Sequence, residues 1–187
     1  RGPRPWVVPR GLLGGARAAG LTTFYPVGTH APDDSDTVAR LTDTDMDLNP
    51  RKANAKTIAP NIRKGSKDAE IAAGLKPIKG DVVVPKHRWN AFFANDLELH
   101  LRMRAIDTVV IAGGSTDVGI VSTVFAARDL DLGVVVVRDA CYSMRGPNND
   151  FLMERIFPRM GRVLSVDQTV ELMLAGMRKP KGRAKRT

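Results

Sequence analysis

Residues 107–129 read DTVVIAGGSTDVGIVSTVFAARD. A run of β-branched residues ends in two glycines, a short polar turn follows, and an apolar stretch of helical length comes next. This pattern predicts a strand, a turn and a helix over 117–128 that is capped by Thr116 or Asp117. The first turn of such a helix presents unpaired N–H groups and the positive end of the helix dipole, so a thiol there would ionise readily. Gly119 stands in that turn and offers no side chain.

Strands and helices alternate on both sides of this segment, which predicts an α/β fold with a parallel sheet and right-handed crossovers. Four consecutive valines at 134–137 suit a strand that is buried on both faces. We expect one domain over 1–177, with a long irregular region over 28–80 and a basic tail over 178–187. The predicted strands cover 21–27, 82–84, 108–112, 133–138 and 162–164, and the predicted helices cover 7–20, 96–103, 117–128, 148–160 and 167–177.

Three motifs resemble those of the isochorismatase-like cysteine hydrolase superfamily. Val82–Arg102 resembles the family's lysine-bearing segment, Gly113–Gly119 resembles a signature that normally ends in cysteine, and Val134–Cys141 resembles the strand that follows. Members usually carry an Asp–Lys–Cys triad and hydrolyse amides such as nicotinamide, ureido compounds or carbamoyl groups. The resemblance gives Lys86 the role of the triad lysine and Gly119 the position of the nucleophile.

The resemblance also implies details of the fold. It predicts a three-layer Rossmann-like sheet with helices on both faces, and a non-proline cis peptide between Gly114 and Ser115 in the oxyanion turn. The family's first strand carries the triad aspartate and lies in the middle of the sheet. Here Val7–Pro9 already resembles the start of the first helix, and the prolines before it forbid a central strand. Three outcomes stay open: a segment upstream of Arg1 fills the place, another chain donates a strand, or the neighbouring strands close up.

Without a cysteine or that aspartate, Lys86 is predicted to be vestigial, because no nucleophile or general base remains. The sequence then predicts an inactive domain that serves as a structural or accessory subunit of a mitochondrial assembly, such as a ribosome or a respiratory-chain complex. The alternative is an active hydrolase of C–N amide or vinyl-ether bonds whose catalytic aspartate lies upstream of Arg1. True isochorismatases are similar in lacking the cysteine, and some have glycine there. A third reading is that Gly119 replaces a natural cysteine.

The net charge of +9 is concentrated at the carboxyl end, which suits contact with RNA or another anionic surface. A purely solubilising tail is the alternative. The start at Arg1 is compatible with removal of an Arg-rich mitochondrial targeting peptide, so we expect a mitochondrial location, or otherwise a cytoplasmic one. The expected partners are other protein subunits and RNA. The basic tail residues are Arg178, Lys179, Lys181, Arg183, Lys185 and Arg186.

The remaining candidates carry less chemistry. Cys141 is the single cysteine, and we expect a small buried residue rather than a displaced nucleophile. His30 resembles part of a loop that binds a metal in some family members, but a solvated histidine is the expectation. Trp89, Phe92 and Phe93 could line an aromatic pocket beside the lysine or pack in the core. We predict no metal and no cofactor, and no apolar run approaches the roughly 18–20 residues that span a membrane.

Overall fold

A computed structural model of the chain describes residues 7–33, 35–36, 62–143 and 146–177. Within these ranges strands and helices alternate as the sequence predicts, which confirms the α/β fold. The strands are β1 (Phe24–Gly28), β2 (Val82–Lys86), β3 (Thr108–Gly114), β4 (Gly133–Tyr142) and β5 (Arg162–Leu164). The helices are α1 (Val7–Ala18), α2 (Leu97–Met103), α3 (Val121–Asp129), α4 (Gly146–Phe151) and α5 (Val166–Met177).

Several predicted segments differ from the structure, among them the helix predicted over 117–128, whose α-helical part begins only at Val121. The helix predicted over 148–160 is α4 followed by a wide turn at Leu152–Ile156 and a 3₁₀ turn at Phe157–Arg159. Proline in that last turn lacks an N–H and cannot continue the α-helical hydrogen bonds. In the region 28–80, which was predicted to be irregular, the described part contains two 3₁₀ turns, at Lys67–Ala69 and Ala73–Leu75. No helix among the described residues is long and apolar enough to cross a membrane.

The strands form two parallel sheets. In one sheet β1 pairs with β2, and in the other β4 lies between β3 and β5. Helices cover both faces of β4, because Val136 belongs to the core under α2 and α3 while its neighbour Val137 packs against α1 and α5. Successive strand residues point to opposite faces, so this alternation produces the three layers.

The sheet is split at the place where the sequence predicts a missing strand. No ladder joins β1 to β3 among the described residues, so these neighbours have not closed up. Along β3 every second residue is exposed, and Val110 is 37% accessible. An inner strand of a parallel sheet is normally buried on both faces. Among the residues that the structure describes, β3 therefore has one edge without a partner strand and one face without cover.

Helix α1 spans the two sheets. Its Leu12 packs against Val137 of β4, while Arg17 Nη2 lies 2.8 Å from the Asp81 carboxylate just before β2. The Asp81 carboxylate also accepts the Ile78 N–H at 2.9 Å. Burial opposes the ionisation of Asp81, but the Ile78 N–H and the Arg17 guanidinium outweigh it and hold its pKa below the usual value. One helix thus fixes both sheets relative to each other.

Candidate active site

The candidate site lies at the carboxyl ends of β2 and β3, the edge at which open α/β sheets bind ligands. β2 ends at Lys86 and β3 ends at Gly114. The peptide between Gly114 and Ser115 is cis, as the resemblance implied. The chain then enters a wide helical turn, Thr116–Ile120, in which the Ile120 N–H reaches Ser115 O at 3.1 Å. The sequence motifs therefore predicted correctly which segments form this turn.

Gly119 has room for a side chain. A Cβ atom at this position would lie 3.6 Å from Trp89 O and 3.7 Å from Gly114 O, which is ordinary van der Waals contact. Its backbone does not have the positive φ angle that would favour glycine. Neither strain nor crowding requires glycine here, so its absent side chain matters for the chemistry of the site and not for the fold.

Lys86 approaches the same turn from the other sheet. Its Nζ donates to Arg88 O at 2.9 Å, and the next carbonyl, that of Trp89, faces Gly119. Burial lowers the pKa of Lys86. The ion pairs between described residues do not include Lys86, so its charge meets a neutral carbonyl there. A partly buried cation in this environment favours an anionic partner nearby.

A polar network holds the opposite side of the turn. The Asp117 carboxylate accepts from Ser115 Oγ and from Asn148 Nδ2, the latter at 2.8 Å, and buried Thr116 donates its hydroxyl to Asn149 Oδ1 at 2.8 Å. Burial opposes the ionisation of Asp117, but the hydrogen bonds from Ser115 and Asn148 hold its pKa below the usual value. The predicted cap is wrong: no side chain caps this helix, because Thr116 and Asp117 bond instead to the two asparagines of α4.

The sequence also matches a known family over most of its length. Residues 12–168 match the family model of the isochorismatase domain. The chain belongs to the isochorismatase family. An isochorismatase family protein from Burkholderia thailandensis shares its fold with a TM-score of 0.75 and 30% identity, covering 90% of this chain and 82% of that one.

Two further relatives have named activities. Ureidoacrylate amidohydrolase RutB from Variovorax paradoxus is 35% identical over 99 residues, which cover 53% of this chain and 39% of that protein. N-carbamoylsarcosine amidase from Thermoplasma acidophilum has a TM-score of 0.69 and 25% identity, covering 88% of this chain and 83% of that one. The chain spans about half the length of the first curated relatives, with 54% of each covered.

These relatives correct the predicted function. The expectation of a structural or accessory subunit of a ribosome or respiratory complex is wrong, because the named relatives within the isochorismatase family are amidohydrolases. The absence of a cysteine at position 119 misled the interpretation. The prediction of RNA binding rests on 178–187, which lies outside the described residues, and it stays a prediction together with the mitochondrial location.

The other candidate residues lie in several different environments. Cys141 is buried, as predicted, and burial raises its pKa to about 12, which makes it a poor nucleophile near neutral pH. Phe92 packs against the core, while Trp89 and Phe93 are each more than half exposed, so the three rings do not share one environment. A cavity of about 280 Å³ beside Asp81 lies at the opposite, amino ends of the strands.

His30 is not the solvated side chain that the sequence predicts. Its Nδ1 is buried, has no hydrogen-bond partner among the described residues, and lies 3.5 Å from Asp36 Oδ2. His87 Nδ1 lies 3.7 Å from the same oxygen. The two histidines come from loops that are far apart in sequence, so no local pattern could have paired them. Within the described ranges no group of three acidic, histidine or cysteine side chains is arranged to hold a metal.

Proposed function

We propose that this chain contributes the lysine and the turn of a hydrolase site that cleaves a small amide at its C–N bond, or a vinyl ether. The observation that carries the proposal is the contact between the Lys86 segment and the Gly119 turn at the carboxyl edge. The amidohydrolases that resemble this chain support the reaction class.

Gly119 favours direct attack by water. Covalent catalysis needs a nucleophilic side chain, and position 119 has none. Water would therefore add to the substrate carbon while a general base removes its proton, and the leaving amine or enol would take up a proton as the bond breaks. Lys86 would stabilise the negative charge that develops on the substrate or on the base.

The general base in this proposal is an aspartate upstream of Arg1. Within the described residues, β1 and β3 each have an edge without a partner strand, and in this proposal one more parallel strand lies between them. Such a strand would lie roughly 4.8 Å from each neighbour, and its last residue would reach the same edge as Gly114 and Lys86. A carboxylate there would supply the anionic partner that Lys86 lacks among the described residues.

A hydrolysis assay tests the proposal on a polypeptide that includes the sequence upstream of Arg1. The substrates are ureidoacrylate, N-carbamoylsarcosine, nicotinamide and isochorismate, with product release followed by chromatography. We expect turnover of at least one substrate, and Lys86→Met should reduce kcat by about a hundredfold or more, the order found for loss of one group that stabilises developing charge. The control is Lys67→Met, since Lys67 is exposed and distant in sequence from the turn. Absence of turnover on all four substrates, or equal rates for Lys86→Met and wild type, would refute the proposal.

A further inference from the structure

The hydroxyl of Thr123 bridges the two halves of the candidate site. Its Oγ1 donates to Gly119 O at 2.7 Å and accepts the Ala91 N–H at 3.1 Å. Ala91 belongs to the segment that follows Lys86, whereas Gly119 belongs to the turn after β3. A single side-chain oxygen thus contacts the backbone of both.

This bridge matters because, among the described residues, strand pairing does not connect the two parts of the candidate site. Lys86 ends a strand of the two-stranded sheet and Gly114 ends a strand of the three-stranded sheet, and no ladder joins the two sheets among the described residues. The distance from the lysine to the turn therefore depends on contacts beyond the strands. Trp89 O lies near the position that a side chain on Gly119 would occupy. The Thr123 hydroxyl is hydrogen-bonded to Ala91, two residues after Trp89, and to Gly119 itself.

We infer that Thr123 is a positioning residue that sets the placement of Lys86 relative to the Gly119 turn. The inference rests on the proposed function and names a residue that acts through others, since Thr123 contacts backbone and not substrate. Errors of about 1 Å in such placement can cost a hundredfold in rate. The hydroxyl is required because one group must donate to Gly119 O and also accept from the Ala91 N–H.

Ser122 provides a matched control in the same helix. Its hydroxyl donates to Val118 O at 2.8 Å and to Gly119 O at 3.1 Å, and both acceptors lie within the turn itself. Within the described part of the chain, the Ser122 hydroxyl makes no hydrogen bond to the Lys86 segment. Ser122→Ala therefore removes a hydroxyl of the same kind, next to the same turn, without removing the bridge.

Three variants separate positioning from simple stability. Thr123→Val keeps the shape of the side chain and removes the oxygen, Thr123→Ser keeps the oxygen, and Ser122→Ala is the control. On a hydrolysed substrate we expect Thr123→Val to lower kcat about tenfold or more with KM changed less than about twofold. Thr123→Ser and Ser122→Ala should stay within about twofold of wild type, a bound below the range of positioning effects. Equal kcat values for Thr123→Val and Ser122→Ala would overturn the inference.

A second measurement does not depend on turnover. In a Gly119→Cys background, the pH dependence of alkylation by iodoacetamide gives the pKa of the new thiol. We expect a pKa below the ~8.5 of free cysteine, because the helix terminus and a nearby lysine stabilise the thiolate. Adding Thr123→Val should raise this pKa toward the free value, whereas Thr123→Ser and Ser122→Ala should leave it in place.

The two experiments distinguish the inference from the function on which it rests. A thiol pKa that Thr123→Val leaves unchanged overturns the positioning role, whether or not any substrate is hydrolysed. A pKa that rises with Thr123→Val but not with Ser122→Ala supports the role, even if all four substrates prove inert and the proposed reaction is abandoned. Circular dichroism of each variant confirms that the comparison is made between folded proteins.

Discussion

Gly119 is the residue on which the proposed chemistry of the site depends. The sequence predicted the strand and the turn around it, because these segments are contiguous in the chain. Residues that act across the fold were harder to find. Some contacts join residues that are about 30 or more positions apart in the sequence, as in the 2.8 Å hydrogen bond from Thr116 to Asn149. Thr123 and Asn148 also make contacts of this kind. Local patterns contain no signal for such contacts.

Thiols at positions 141 and 119 should differ in reactivity. Wild-type protein should react very slowly with iodoacetamide at pH 8, because burial raises the pKa of Cys141 to about 12 and leaves little thiolate. Gly119→Cys should react faster at position 119 and keep its stability, since the added Cβ meets nothing closer than 3.6 Å. Peptide mapping by mass spectrometry identifies the labelled residue. Faster labelling of Cys141 than of the new thiol would contradict the burial and the placement of both.

Among the helices, α1 shows how a glycine can be fixed by packing and not by backbone conformation. A Cβ atom on Gly15 would lie 2.5 Å from Val170 Cγ2 of α5, whereas one on Gly14 would meet none of the described atoms within 4 Å. We predict that Gly15→Ala lowers the free energy of unfolding by about 1–3 kcal/mol through overpacking. Gly14→Ala is the matched control and should raise it by about 0.5–1 kcal/mol, because alanine favours a helix interior. Urea unfolding of both variants measures the difference, and a stabilising Gly15→Ala would show that α1 and α5 are less closely packed.

The link from α1 to β2 leads to a prediction about pH. The pKa of Asp81 is lowered in the folded state, so its contribution is present above the unfolded pKa and is lost as the pH falls through the folded one. Asp81→Asn should lower the free energy of unfolding by about 2 kcal/mol at pH 7, the size of hydrogen bonds to a charged group. The difference in the free energy of unfolding between Asp81→Asn and wild type should decrease below about pH 4, near the ordinary pKa of aspartate.

The exposed pair of Arg102 and Glu98, 3.4 Å apart, offers the control for this measurement. Glu98→Gln should change the free energy of unfolding by less than about 0.5 kcal/mol both at pH 7 and below about pH 4, because solvent screens such pairs. A pH-independent difference between Asp81→Asn and wild type would mean that the carboxylate charge contributes nothing.

For the molecule as a whole, the sequence predicted the order of strands and helices and the place of the gap, but not whether the gap closes. Alternating apolar segments such as 134–137 reveal which elements exist, since burial imposes a pattern on side chains. Pairing between β1 and β3 would be made by backbone groups, which every residue carries, so no pattern of residue types reports it. The function was misread for a different reason: the glycine at position 119 was taken as a sign of inactivity, although named relatives of this chain are amidohydrolases.

Hydrogen exchange tests whether that space takes a strand. In the chain of residues 1–187, the β3 amides that do not bond to β4 should exchange rapidly, because their edge has no described partner. Fusing a short apolar strand that ends in aspartate ahead of Arg1 should slow these amides and those on the free edge of β1, as new ladder hydrogen bonds form between them. The outer edge of β2 is the internal control, since a strand inserted on the far side of β1 leaves it solvated. Protection that appears at β2 instead, or at no edge, would show that the two sheets do not accept a strand between them and that the catalytic carboxylate must be sought elsewhere.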